Sequence, residues 1–314
     1  MTRPHSTSSL RATLLLGLAM LFWAGNSIVG RGVRSEIPPF SLAFGRWVIA
    51  VLIVLPLAWP RLRAQWPQIR EGWGWLVVLG VLGVVCFNSF VYSGLHFTSA
   101  SNALLLQAGI PTFVLLLEFV LFRGRPAWLQ ALGVAVSTLG VLFIVFRGDW
   151  QAVLALRIGG KGDALILCGV ACWSFYTVLL RKKPAVDAPV FVFLTFLLGA
   201  LALAPLAGWE AAQGLQVHWS LPVLGAFLYV GLFPSVLAFF IYIAATAELG
   251  PMRAGQAITL MPLFGALLST LLLGEVLVAY HLVGMGLILA GIVLSALALR
   301  TRVKTPVALR SARG

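Results

Sequence analysis

Ala103 to Phe113 (ALLLQAGIPTF) and Ala254 to Phe264 (AGQAITLMPLF) read as one frame written twice, 151 positions apart. Ala103 falls on Ala254, Pro111 on Pro262 and Phe113 on Phe264. Carried outward at the same offset, Gly133 falls on Gly284 and Gly140 on Gly291. Identity between the two segments is low, as expected of any pair of apolar stretches, so the weight lies in which residues match. A proline deep in an apolar helix removes a backbone donor and costs roughly 3 kcal/mol, so two in register mark a constrained position. Further upstream, Trp23 pairs with Trp173, Arg31 with Arg181 and Pro39 with Pro189 at an offset of 150.

Composition says what solvent these segments meet. Of 314 residues, 61% are hydrophobic and 10% charged. A soluble chain would carry about 25% charged residues, so this one is expected to be a polytopic all-α membrane protein. The net charge of +13 sits in short clusters at the ends of apolar runs, which indicates topology and not nucleic acid. Cys86, Cys168 and Cys172 lie inside apolar runs with neither disulfide nor metal spacing, and no cofactor motif is present. The apolar stretch after Arg11 resembles a signal peptide but lacks a clear cleavage site, so it is expected to be a retained first span.

Ten stretches have spanning length: 12–30, 38–59, 73–95, 98–121, 127–146, 163–181, 188–208, 221–245, 250–274 and 280–299. With a cytoplasmic N-terminus, 16 Lys and Arg residues fall inside and 5 outside, which predicts both termini in the cytoplasm. Five spans per copy is an odd number, so the second copy must enter the membrane from the opposite side. The expectation is an inverted repeat, residues 1–150 and 151–314, the second ending in a short basic cytoplasmic tail. Such repeats place a substrate site near the midplane between the halves. Asp163 is expected to N-cap the sixth span.

Polar residues inside spans are costly unless they face protein or a cavity, so they are the candidate site residues. Arg46 lies about 12 Å into the second span by helix rise. It would serve as a fixed cation for substrate, or would snorkel or bind backbone carbonyls. Glu118 is a carboxylate well inside a span; it would titrate during coupling, or pair with Arg123 and Arg125 nearby at the cytoplasmic interface. Trp23 with Asn26, and Trp173 with Tyr176, repeat one spacing in matching helices and suggest facing cavity walls. Asn88 and Tyr92 share a face of the third span, Gln107 lies one helical turn before Pro111, and Gln256 sits in the span that contains Pro262. Pro111 and Pro262 would kink those spans and free carbonyls, or serve shape alone. Gly133 to Ser137 and Gly286 to Ala290 fit small-x-x-x-small packing, making the fifth and tenth spans a scaffold or a homodimer contact.

Leu21 to Asn26 (LFWAGN), Ala171 to Tyr176 (ACWSFY), the run from Ala257 through Pro262 to Glu275, and Val283 to Gly291 resemble the drug/metabolite transporter superfamily, in its bacterial ten-helix EamA-type form. The resemblance implies a carrier in the bacterial cytoplasmic membrane that exports or exchanges small metabolites, amino acids or drugs through a central cavity. It also implies fifth and tenth helices set apart. The first copy departs from the pattern, with Arg123-Gly124 where Gly-Glu is often repeated.

The reading that follows is a secondary transporter for amino-acid-like or amphipathic solutes working by alternating access. It has a small-molecule substrate and the lipid bilayer as partners, and no catalytic group. The alternatives are a facilitator or exchanger of phosphorylated or nucleotide-linked solutes, and a membrane interaction protein without flux.

Overall fold

The computed structural model describes residues 5–33, 35–95, 97, 106–107, 109–124, 127–146, 148–149, 151, 160–273 and 279–303. Among them all regular structure is helical, as it must be where no water is available to satisfy backbone groups. The first half contains α1 (His5–Gly32), α2 (Pro39–Ala64), the short α3 (Trp66–Glu71), α4 (Trp73–Gly80), α5 (Phe87–Leu95), α6 (Ile110–Phe122) and α7 (Trp128–Val145). The second contains α8 (Lys161–Leu179), α9 (Ala188–Ala212), α10 (Leu221–Val230), α11 (Ala238–Leu249), α12 (Pro251–Ala257), α13 (Leu260–Leu273) and α14 (Ala279–Val303).

Among the described residues, seven helical stretches are long and apolar enough to cross a membrane. Three shorter apolar ones, Ile110–Phe122, Trp128–Ile144 and Ala279–Ser295, accompany them. The architecture is that of a multi-pass membrane protein.

Between α4 and α5, and again between α10 and α11, the helix widens into a π turn, over Val81–Cys86 and Gly231–Leu237. The two turns begin 150 positions apart. In the second, Pro234 lacks the N–H that a regular helix needs. In the first, Gly83 lets the Tyr176 ring approach the backbone; a Cβ there would lie 2.6 Å from the ring.

The two prolines that opened the sequence reading sit at helix starts. Pro111 is the second residue of α6, and Pro262 is the third of α13, after a break at Ile258 and Thr259. At Pro262 the expected freed carbonyl is taken locally. Met261 N donates to Ile258 O (3.0 Å), and Thr259 N (3.1 Å) and Oγ1 (2.8 Å) both donate to Gln256 O. Residues 98–105 and 108, most of the N-terminal part of the expected fourth span, lie outside the described residues.

Packing repeats across the chain. α1 packs on α11 and α13, and α8 packs on α5 and α6; α2 packs on α9, α7 on α14, and α6 on α12. Exchanging the two halves turns α1 on α11 into α8 on α5 and α1 on α13 into α8 on α6, and leaves α2 on α9 and α7 on α14 as they stand. The closest is α7 on α14. A Cβ on Gly140 would lie 2.6 Å from Gly284 O, one on Gly284 would lie 2.8 Å from Gly140 O, and Gly133 and Gly291 meet in the same way. Small residues let these backbones touch. The expected Gly286 motif is not part of this seam, since a Cβ there meets nothing within 4 Å. The glycines at 133, 140, 284 and 291 are thus used within the chain.

Asp163 lies buried in the first turn of α8, and the N-cap is Gly160. The expectation that Asp163 caps this helix was displaced by an earlier start at Lys161. In the first turn a carboxylate still complements the helix dipole.

Candidate substrate site

The centre of the molecule is aromatic. Trp23 on α1 meets Trp173 on α8 with ring centroids 5.3 Å apart. Both pack on Tyr242 of α11, at 5.2 and 5.6 Å, and on Phe239 of the same helix. Tyr176 stacks beside Trp173 at 5.2 Å, and Trp47 on α2 packs on Phe196 (4.7 Å) and Phe239 (5.6 Å). The residues expected to form facing cavity walls therefore touch each other. Large flat side chains do this because edge-to-face contact adds to simple area burial.

The π turn after α10 supplies the polar part. Trp23 Nε1 donates to Pro234 O (2.8 Å), and Arg46 Nε donates to Ser235 Oγ (2.7 Å), which in turn donates to Val230 O (2.7 Å). Arg46 is 7% exposed, so it does not snorkel, and its guanidinium carbon lies 4.3 Å from the centre of the Trp47 ring. A cation over an indole face is stabilised by the ring quadrupole, more so when water is excluded.

The Trp47 indole N–H is buried with no hydrogen-bond partner among the described residues. That of Trp173 lies near the Tyr242 hydroxyl without reaching hydrogen-bond geometry. The Tyr242 hydroxyl is shared with Thr177 Oγ1 at 2.8 Å. Orphaned buried donors are rare in folded proteins, and each calls for a specific explanation.

The other expected site residues are dispersed. Asn26, one turn beyond Trp23, is half-buried and makes no hydrogen bond to another described residue. Asn88 donates to Val84 O of its own helix (2.7 Å), inside the first π turn. Tyr92 lies on α5, and its side chain is outside the described residues. Gln107 is half-buried one turn before Pro111. Gln256 is buried in the α7–α14 seam, where Nε2 donates to Ser137 Oγ (3.3 Å) and Gly291 O (3.2 Å).

Glu118 pairs with Arg181 from the other half, and not with Arg123 as its neighbourhood in sequence suggested. Arg123 adopts a left-handed conformation (φ 52°) that ends α6, while Arg181 lies against Phe122, 3.9 Å from its ring centre. Arg125 is outside the described residues. Among the described residues no three His, Cys, Asp or Glu side chains converge where a metal would sit.

A family model described as the EamA-like transporter family matches this chain twice, over residues 10–146 and 160–297. The chain belongs to the EamA-like transporter family. An uncharacterized transporter of Archaeoglobus fulgidus is 31% identical over 264 residues, covering 83% of this chain and 89% of its own. The uncharacterized transporter YyaM of Bacillus subtilis is 24% identical, over 82% and 84%. One solved crystal structure shares the fold with a TM-score of 0.73 at 19% identity, covering 94% of this chain and 99% of its own. Membership in this family places the chain in a transporter family, which supports a non-enzyme reading.

Sequence reasoning missed four members of this EamA centre, among them Trp47, which directly follows Arg46 in the apolar run of α2. Ser235 and Phe239 follow a proline in an apolar run, and only the π turn aims Ser235 at Arg46. Tyr242 had a signal: it stands 150 positions after Tyr92. Glu210 was also missed. It is 2% exposed near the end of α9 and accepts from Phe40 N (2.8 Å), Ser41 N (2.7 Å) and Ser41 Oγ (2.8 Å) at the start of α2. At the opposite end of the same pair, Arg61 meets Asp187 at 3.2 Å and Gln65 Oε1 accepts from Asp187 N at 2.9 Å. Beyond these helices, Lys183 donates to Val186 O (2.8 Å); burial lowers its pKa, with Asp187 acting in the opposite sense.

Proposed function

We propose that this protein is a secondary transporter of ten spans, built as two inverted five-helix repeats (residues 1–150 and 151–314). It would export or exchange small amphipathic metabolites, amino-acid-like solutes first among them, across the bacterial cytoplasmic membrane. Both termini face the cytoplasm in this reading. The seven long and three short apolar helices among the described residues support the count of ten spans. The contacts that exchange when the halves are swapped support the repeat.

The observation that carries the substrate class is Arg46, a buried guanidinium over Trp47, beside an indole N–H that has no partner. A carboxylate meeting these two groups would gain charge-assisted hydrogen bonds where water is excluded. The surrounding rings suit the apolar part of an amphipathic solute. Since Trp23 and Trp173 are in contact, substrate enters only when the halves part. That is the behaviour alternating access requires. Trp23, Asn26, Arg46, Trp173 and Tyr176 are the central binding set in this account, with Asn88, Tyr92 and Gln107 toward its edge. Gln256 holds the α7–α14 scaffold, and the breaks before Pro111 and Pro262 are hinge positions. Glu118 joins the halves through Arg181; a coupling role would require that pair to open.

A ligand that binds only the folded protein raises its apparent stability. A thermal-stability screen over a metabolite library is the test. Carboxylates should stabilise and their methyl esters should not. Equal shifts for both would remove the substrate class.

A further inference from the structure

The α2–α4 elbow holds a cavity of about 450 Å3, walled by Leu62, Trp66, Ile69, Trp73 and Phe193, with Arg63 as its charged lining residue. That volume is within the ~300–1,000 Å3 range of ligand sites. We propose that it binds an anionic phospholipid, an acyl chain lying against the apolar wall and the phosphate on Arg63. The proposal rests only on residence in a bilayer and is independent of what the protein transports.

Three observations converge on that occupant. Trp66 and Trp73, which flank α3, are 63% and 50% exposed. Exposed tryptophans at span ends mark headgroup depth, so the cavity opens where a phosphate would lie. Arg63 is exposed and has no carboxylate or carbonyl partner among the described residues. Its neighbour Arg61, by contrast, is committed to Asp187 and to Leu57 O. Asp187, just before α9, is thereby paired, and the acid on α3, Glu71, adjoins Arg70. A guanidinium holds a phosphate through paired hydrogen bonds, which a zwitterionic headgroup partly offsets with its own ammonium. The site also touches both halves, because Phe193 and Leu194 belong to α9, on which α2 packs. A lipid seated there would report on, and bias, the relative position of those helices.

The test is native mass spectrometry of the full-length protein, released from micelles containing equal phosphatidylglycerol and phosphatidylcholine with identical chains. The wild type should retain the anionic lipid about fivefold over the zwitterionic one, the expected effect of one cation at a membrane surface. Arg63→Gln should bring that ratio close to one, Arg63→Lys should keep most of it, and Arg70→Gln, which leaves the cavity intact, should not change it. Leu194→Trp, which fills the cavity, should lose retention of both lipids. No preference in the wild type, the same loss in Arg70→Gln as in Arg63→Gln, or abolition of the preference by inorganic phosphate at equal concentration would each overturn the assignment.

Discussion

Trp23 and Trp173, equivalent positions of the two halves, meet edge to face at 5.3 Å with their planes at 83°. The contact lies at the centre of the molecule and joins α1 to α8. In the proposed account it closes the space where a solute would sit between the halves. A double-mutant cycle with Trp23→Leu and Trp173→Leu should give a coupling of about 0.5–1.5 kcal/mol in thermal or denaturant unfolding. Additive effects would mean that the rings are merely adjacent.

The α7–α14 seam is governed by backbone contact. Gly140→Ala or Gly284→Ala should each destabilise by about 1–3 kcal/mol, because a methyl group meets a carbonyl oxygen and forces the helices apart. Gly286→Ala on the same helix should be neutral or slightly stabilising, since it adds helix propensity in open space. Thermal unfolding of the three variants in one detergent distinguishes a seam built on glycine from a general sensitivity of these helices.

Glu118 and Arg181 form a cross-half ion pair in which Glu118 is 8% and Arg181 34% exposed. Removing one partner leaves a poorly solvated charge behind, which for a fully buried pair costs about 3–5 kcal/mol. The partial exposure of Arg181 lowers the expectation to about 1–3 kcal/mol. Glu118→Gln and Arg181→Gln should therefore each destabilise, and the double variant should be less destabilised than their sum. If Arg123→Gln has the larger effect, the pairing is wrong.

Glu210 ties the end of α9 to the start of α2 through three hydrogen bonds, while the other end of that helix pair carries an exposed ion pair, 46% and 53% accessible. The buried tie should dominate. Glu210→Gln should cost about 1–3 kcal/mol, and Arg61→Gln less than about 1 kcal/mol. Spin-label distances between the two helix ends should broaden at the Glu210 end in the first variant and change little in the second.

The helices were largely legible, because a long apolar run in a chain with few charges has one way to satisfy its backbone. The starts at Pro39, Trp73, Ala188 and Leu221 coincide with the sequence reading to within a residue. Pro111 and Pro262 stand in the first turn of a helix, where kinks within a span were expected. The polar pairings were less legible. Glu118 has Arg123 five residues away in sequence, but its partner is 63 residues away, since a left-handed residue ends the helix and turns Arg123 elsewhere. The π turns left no pattern in the apolar run, so neither the Pro234 carbonyl nor Ser235 stood out. Gln256 read as a cavity residue, since burial in a helix seam and burial in a site look alike in one dimension.

The central claim is that a carboxylate crosses between the halves and is read by Arg46. Counterflow in proteoliposomes tests it: vesicles preloaded with an unlabelled amino-acid-like carboxylate should transiently accumulate the labelled solute from outside. Losing a charge-assisted hydrogen bond of about 1.5–3 kcal/mol should reduce that uptake by roughly ten- to 150-fold in Arg46→Gln, with Arg46→Lys in between. Counterflow of every anionic and zwitterionic solute at wild-type rate in Arg46→Gln, or none with any solute in the wild type, would contradict the account.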